Sequence, residues 1–200
     1  MSNFNNSVDI EGPFHSEILV VGIGGVLCKD DAFGPTVINA MDLYLNNGSI
    51  NKKDITPEFE DIYTDNLINS LNNYFEDKDF SIPENVQFID GGTSSTFHIF
   101  SLPDEYWKKV IVVDVVEFSN EPGKIKKFDI SSIPEDKYQD AHVGPTNTLH
   151  DVANNGCEVV VIGCSPKEIP EGEILCGLTE PVEKAIPKAI DYILKEIGVL

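Results

Sequence analysis

Apolar residues along this chain fall into short continuous runs separated by longer stretches of helical period. Ile18–Val21, Val86–Ile89, Val110–Val113 and Val159–Ile162 are the clearest runs, and each is rich in β-branched residues. Runs of that kind predict parallel strands covered on both faces. They end at Gly22, at Asp90-Gly91-Gly92, at Asp114 and at Gly163. A weaker segment, Lys124–Asp129, follows the turn Glu121-Pro122-Gly123 and carries Ile125 and Phe128 among lysines. It predicts an edge strand whose lysines discourage edge-to-edge pairing.

The intervening stretches predict helices. Residues Phe33–Leu45 place Val37, Ile38, Met41, Tyr44 and Leu45 on one face. A shorter candidate covers Thr96–Leu102. Pro145 suits the first position of a helix running to about Asn154. The last pattern, Glu180–Ile197, spaces Val182, Ile186, Ile190 and Leu194 four apart, and Pro187 inside it must kink or divide the helix. The alternation predicts an α/β fold: a three-layer sandwich with a mainly parallel, twisted sheet of about five strands and helices on both faces. A polar tail, residues 1–17, precedes one domain at 18–200, which is interrupted at about 46–85. That inserted segment is long enough to have structure or function of its own. Phe59, Ile62, Leu67, Ile68 and Leu71 give it the makings of an amphipathic helix.

Composition narrows the partners. The chain has 200 residues, 34 acidic and 14 basic, for a formal charge of −20. Such a surface repels phosphate backbones and anionic membranes, so neither nucleic acid nor membrane is expected as a partner. No apolar run reaches the ~18 residues of a membrane span. The tail lacks a basic start and an apolar core, so a cytoplasmic location is expected. Cys28, Cys157, Cys164 and Cys176 read as free thiols, and the spacing of the last three matches no standard zinc pattern.

Candidate chemistry gathers at the strand ends. Gly22-Ile23-Gly24 after the first run resembles a dinucleotide turn, but Leu27 takes the place of the third glycine, and Asp30-Asp31 would repel a pyrophosphate. No nucleotide cofactor is expected. In open α/β sheets ligands collect beyond the carboxyl ends of the strands. Asp31, Asp90 and Asp114 all fall there. His142 stands just before the helix that Gly144-Pro145 opens, where the helix dipole favours the neutral, metal-binding imidazole. Two carboxylates and an imidazole make an open site for a borderline cation such as nickel or zinc. Plainer roles compete. Asp30 or Asp31 can cap a helix, and Asp90 can hold the Gly91-Gly92 turn. Asp114 ends a fully apolar run, so its charge needs a partner. His98 and His150 lie in helical patterns, and His15 in the tail. No Gly-x-Ser-x-Gly elbow is present, no base is evident beside Ser94 or Ser95, and a Cys28–His142 pair suffers from the adjacent aspartates, which raise a thiol pKa.

Taken in order, Gly22–Pro35, Asp90-Gly91-Gly92-Thr93, Val112–Val116 and Gly177–Val182 resemble the hydrogenase maturation endopeptidases. Phe100–Pro103, Val113–Phe118 and Glu121–Gly123 look most like the archaeal branch that serves the deazaflavin (coenzyme F420)-reducing hydrogenase of methanogens. The resemblance implies a protease that removes the C-terminal extension of a hydrogenase large-subunit precursor after nickel insertion. Its cofactor-like element, nickel, is then supplied by the precursor. Metal contacts carry over to Asp31, Asp114 and His142, with His150 as the alternative histidine. Asp31 and Asp114 are the candidates for general base, and Gly24, Asp90, Gly91 and Gly92 support the site. Gly25 stands where the family commonly has asparagine. Two rivals remain at this level: a non-catalytic chaperone that senses the same nickel site, and an acidic-pocket phosphatase or phosphotransfer domain using magnesium.

Overall fold

The computed structural model describes residues 16–76, 78, 80–93, 107–133, 146–170 and 172–200. Its sheet has strands β1 (Ile18–Ile23), β2 (Val86–Gly92), β3 (Lys109–Val115), β4 (Ile125–Asp129) and β5 (Glu158–Cys164) in the order β2-β1-β3-β5-β4. All neighbours run parallel except the β4–β5 pair at the edge. The mainly parallel sheet and its lysine-bearing edge strand follow the sequence pattern. All four parallel strands run further than their apolar runs: β1 continues through Gly22-Ile23, β2 through Asp90-Gly91-Gly92, β3 through Asp114-Val115 and β5 through Gly163-Cys164.

Helices cover both faces. On one side lie α1 (Phe33–Asn47), α2 (Asp65–Glu76) and α5 (Ile186–Glu196), whose apolar faces pack with Val20, Ile111, Val113 and Ile162. On the other, Leu149 and Val152 of α3 (Thr146–Asn154) pack with Leu19, Val21, Val110, Val112, Val159 and Val161. Strand residues thus alternate between the two cores, as a strand's period of two requires. The inserted segment contains α2, which buries Leu67, Ile68 and Leu71, whereas Phe59 and Ile62 lie in the turns before it. The C-terminal pattern is divided into α4 (Glu180–Glu183) and α5, with Pro187 in the first turn of α5, where its missing N–H costs no helical bond. The candidate helix at Thr96–Leu102 lies outside the described residues. No described helix is long and apolar enough to cross a membrane.

Close approach sets the position of α1. A Cβ built on Gly34 would stand 2.3 Å from the Val113 carbonyl oxygen and 2.4 Å from that of Ile23. A Cβ on Gly22 would stand 2.4 Å from the Gly34 carbonyl oxygen. Only glycine permits this contact between helix and strands. The helix-packing role that Leu27 cannot fill is therefore taken by Gly34.

Asp30 ties the turn before α1 to distant chain. Its carboxylate is fully buried and accepts N–H bonds from Lys167 (2.8 Å), Glu168 (2.9 Å) and Thr179 (2.7 Å), and the Thr179 hydroxyl at 2.9 Å. The expectation that Asp30 or Asp31 caps a helix is corrected here: neither the Lys29–Ala32 turn nor α1 has a side-chain cap bond. Buried charge is better met by converging main-chain donors than by one helix end.

A second acidic neighbourhood lies where α1 passes β2. Asp42 is half-buried, and burial together with the charge of Asp90 pushes its carboxyl up to about 6. Burial also raises Asp90, with Glu58 adding to the effect and the Gly92 N–H opposing it. The Tyr63 hydroxyl, within electrostatic reach of Asp42, is buried without a hydrogen-bond partner among the described residues, as is Asn39 Oδ1.

Replacing Asp30 by Ala leaves buried donors unmet, at about 1–3 kcal/mol each; a loss of at least ~3 kcal/mol is expected in chemical denaturation. Asp42 gives a pH signature. Its folded value lies above the usual 3.8, so the folded state holds the proton more tightly. Its stabilisation is present below pH ~4 and is lost as pH rises to about 6. Asp42→Asn should lack that decline. Denaturation midpoints at pH 4, 5, 6 and 7 should show the variant gaining on the native chain across that window, then holding a constant lead.

Candidate functional site

The site lies beyond the carboxyl ends of β1 and β3. At Gly24 the backbone takes φ +133°, and a Cβ there would stand 1.9 Å from the Asp31 carbonyl oxygen. The chain therefore doubles back on itself tightly after β1, and glycine is required for it. The Gly24 N–H donates to the Gly92 carbonyl at 3.2 Å, which ties the first turn to the end of β2. The Gly25 N–H donates to Asp31 Oδ2 at 2.6 Å. Asp31 is 2 % exposed, so this main-chain donor meets a carboxylate almost withdrawn from water.

Asp114 reaches the same region from the sheet. It shares the face of β3 that carries Val110 and Val112, the side covered by α3. It too is 2 % exposed. Burial, then the charge of Asp31, hold its carboxyl well above the usual range, while the Val115 N–H, donating to Oδ1 at 2.7 Å, acts in the opposite direction. Two buried carboxyls close enough to repel cannot both ionise cheaply. A cation placed between them would relieve both burial and repulsion, and a proton on Asp114 would relieve them in the same way.

Asp90 does not join them in the buried site. Its Oδ1 accepts from the Gly92 N–H at 3.0 Å and holds its own turn, the plainer of its two expected roles. Gly92 has φ +58° and supplies the carbonyl that anchors Gly24. His142, Gly144 and Pro145, with Ser94, Ser95, His98 and His15, lie outside the described residues. His150, the alternative histidine, faces the Ile133 carbonyl with Nε2 at 3.0 Å.

The cysteines form no zinc set. Cys157 and Cys164 stand at opposite ends of β5 and pack into different cores. Among the described residues no three His, Cys, Asp or Glu side chains are grouped to hold a metal. Cys28 lies beside Asp31: a Cβ on Gly25 would stand 3.4 Å from its Sγ and 3.2 Å from Asp31 Oδ2. Burial, Asp31 and Cys176 all raise its thiol pKa, which makes it a poor nucleophile. Sequence reasoning singled out Asp31 but missed the task of Asp30, because the partners of Asp30 lie far along the chain at Lys167, Glu168 and Thr179. The only local signal was two adjacent acids where one cap would suffice.

Comparison with known proteins places the whole chain in a family. Residues 66–196 match the family described as hydrogenase maturation protease. The chain is 45 % identical over 188 residues to the coenzyme F420 hydrogenase subunit delta of Methanothermobacter thermautotrophicus, covering 94 % of this chain and 98 % of that one. It is 38 % identical over 184 residues to a putative hydrogenase maturation protease of Methanocaldococcus jannaschii, covering 90 % and 96 %. The hydrogenase maturating endopeptidase HybD of E. coli shares the fold, with TM-score 0.61 and 21 % identity over 92 % of this chain and 94 % of that one. The chain belongs to the hydrogenase maturation protease family.

Proposed function

We propose that this protein is the endopeptidase that trims the C-terminal extension of a hydrogenase large-subunit precursor once nickel has been inserted. The observation that carries the reading is the pair of buried carboxyls, Asp31 and Asp114, brought together at the carboxyl edge of the sheet from 83 residues apart in sequence. A pair this well withdrawn from water is costly for the empty protein and well suited to a cation presented by a partner. The nickel of the precursor is that cation in this reading, and it belongs to the substrate. Asp31 and Asp114 engage it, and His142 supplies the imidazole contact.

Such engagement reports that insertion is complete and fixes the adjoining peptide bond. Nickel polarises its surroundings as a Lewis acid, and a carboxylate of the pair takes the proton of the attacking water as general base. Asp31 is held in place by the Gly25 N–H on Oδ2. Asp114 is anchored to the sheet through the Val115 N–H. Family membership supports proteolysis, and the relationship to a coenzyme F420 hydrogenase subunit supports that class of hydrogenase as the source of the precursor.

The purified protein, incubated with nickel-loaded precursor, should produce a mass loss equal to the C-terminal extension. Nickel-free precursor should remain intact. Asp114→Asn and Asp31→Asn should each lower kcat/KM by about 100-fold or more, the scale of losing a general base. Normal trimming by Asp114→Asn would sink the assignment. A stable complex without mass loss would identify a nickel-sensing chaperone instead.

A further inference from the structure

The chain that leaves β3 beyond Asp114 keeps its main chain open. The Val116 N–H still donates to the Cys164 carbonyl at 2.8 Å, the last such bond in this direction. From Glu117 to Asn120 no main-chain N–H or C=O group is bonded within the described protein. The Ser119 hydroxyl accepts from the Glu121 N–H at 3.2 Å and shapes the turn that follows. Phe118 is fixed edge-on against Phe128, with ring centres 5.2 Å apart.

Opposite this strip, β5 gives way to Pro166 and Lys167. Lys167 is held in place through its own N–H, which donates to Asp30 at 2.8 Å. Between the two walls lies a cleft of about 600 Å³, lined by residues 117–120 and Pro122 on one side and by Pro166 and Lys167 on the other. Its two walls are linked to the carboxyl pair through short stretches of chain. Glu117 is the third residue after Asp114, and Asp30, which holds Lys167, precedes Asp31 in sequence.

Unbonded donors and acceptors along one wall suit another main chain better than a compact apolar ligand. Among the described residues the lining offers one cation, Lys167, and one carboxylate, Glu117, so a polyanion finds little there to neutralise it. We propose that this cleft binds the segment of the precursor that is to be removed, laid along residues 117–120 as an added strand, with Lys167 meeting a carboxylate of that peptide. The inference rests on the reading of the protein as the trimming protease. It adds where the leaving segment lies and which residues select it. Seating that segment a few residues from Asp114 would hold the scissile bond against the carboxyl pair.

The test uses the full-length protein, nickel-loaded precursor, and a synthetic peptide with the sequence of the precursor's C-terminal extension. Ser119→Pro removes one N–H from the strip, and Lys167→Glu reverses the cation while leaving its main-chain bond to Asp30 in place. Each should raise KM for the precursor by about tenfold with kcat little changed, the mark of lost ground-state binding. In the 15N-labelled protein the peptide should shift the amide signals of residues 117–120 saturably, and equally well in Asp114→Asn, which no longer trims. Unchanged KM in both cleft variants, with no shift at 117–120, would overturn the cleft assignment while leaving the protease reading intact. Peptide binding at 117–120 in a protein that never trims nickel-loaded precursor would overturn the protease reading and keep the cleft as a peptide site.

Discussion

The carboxyl edge of this sheet depends on how closely α1 lies on β1 and β3. Backbone meets backbone at Gly22 and Gly34, where any Cβ would overlap carbonyl oxygens of the opposite element. That contact leaves no room for a side chain between helix and sheet. It puts the turn before α1 directly over the strand ends, and with it Asp31 beside the end of β3. A helix seated further out would leave Asp31 and Asp114 as two separate solvated carboxyls, with ordinary acidities and little to offer a metal or a proton.

Adjacent aspartates divide the work. Asp30 accepts from Lys167, Glu168 and Thr179 and thereby ties two remote stretches of chain to the first turn. Its charge is fully met, and its task is structural. Asp31 turns instead toward Gly25 and the neighbourhood of Asp114. The satisfied carboxylate stabilises the scaffold, and the buried pair beside it is the one to which the proposed function assigns the chemistry. The same arrangement explains why Cys28, though close by, is a weak candidate nucleophile: buried negative charge that favours a cation works against a thiolate.

Family membership and geometry bear on different parts of the function. The similarity to hydrogenase maturation proteases sets the class of reaction. Geometry proposes where within the chain it occurs, and the open main chain of residues 117–120 proposes how a peptide reaches it. The high negative charge has a plain consequence for this arrangement: a peptide partner meets a generally acidic surface, and Lys167 is a local exception in the cleft wall.

What the sequence determined by itself was local. Continuous β-branched runs mark strands, spacings of three and four mark helices, and Pro187 divides the last helical pattern, because each of these follows from side-chain sterics and from the period of its own element. Strand-end aspartates could be picked out for the same reason, since Asp114 interrupts an apolar run. The sequence singled out Asp31 only through family resemblance; it could not show what Asp30 holds, nor that Gly34 takes over the packing role lost at Leu27. It gave no sign that Asp42 meets Asp90 or that residues 117–120 remain unpaired. Those outcomes were decided only by tertiary structure. They depend on groups far apart in the chain, on backbones packed too closely to admit a Cβ, and on burial, which changes a carboxyl's acidity without changing its neighbours in sequence.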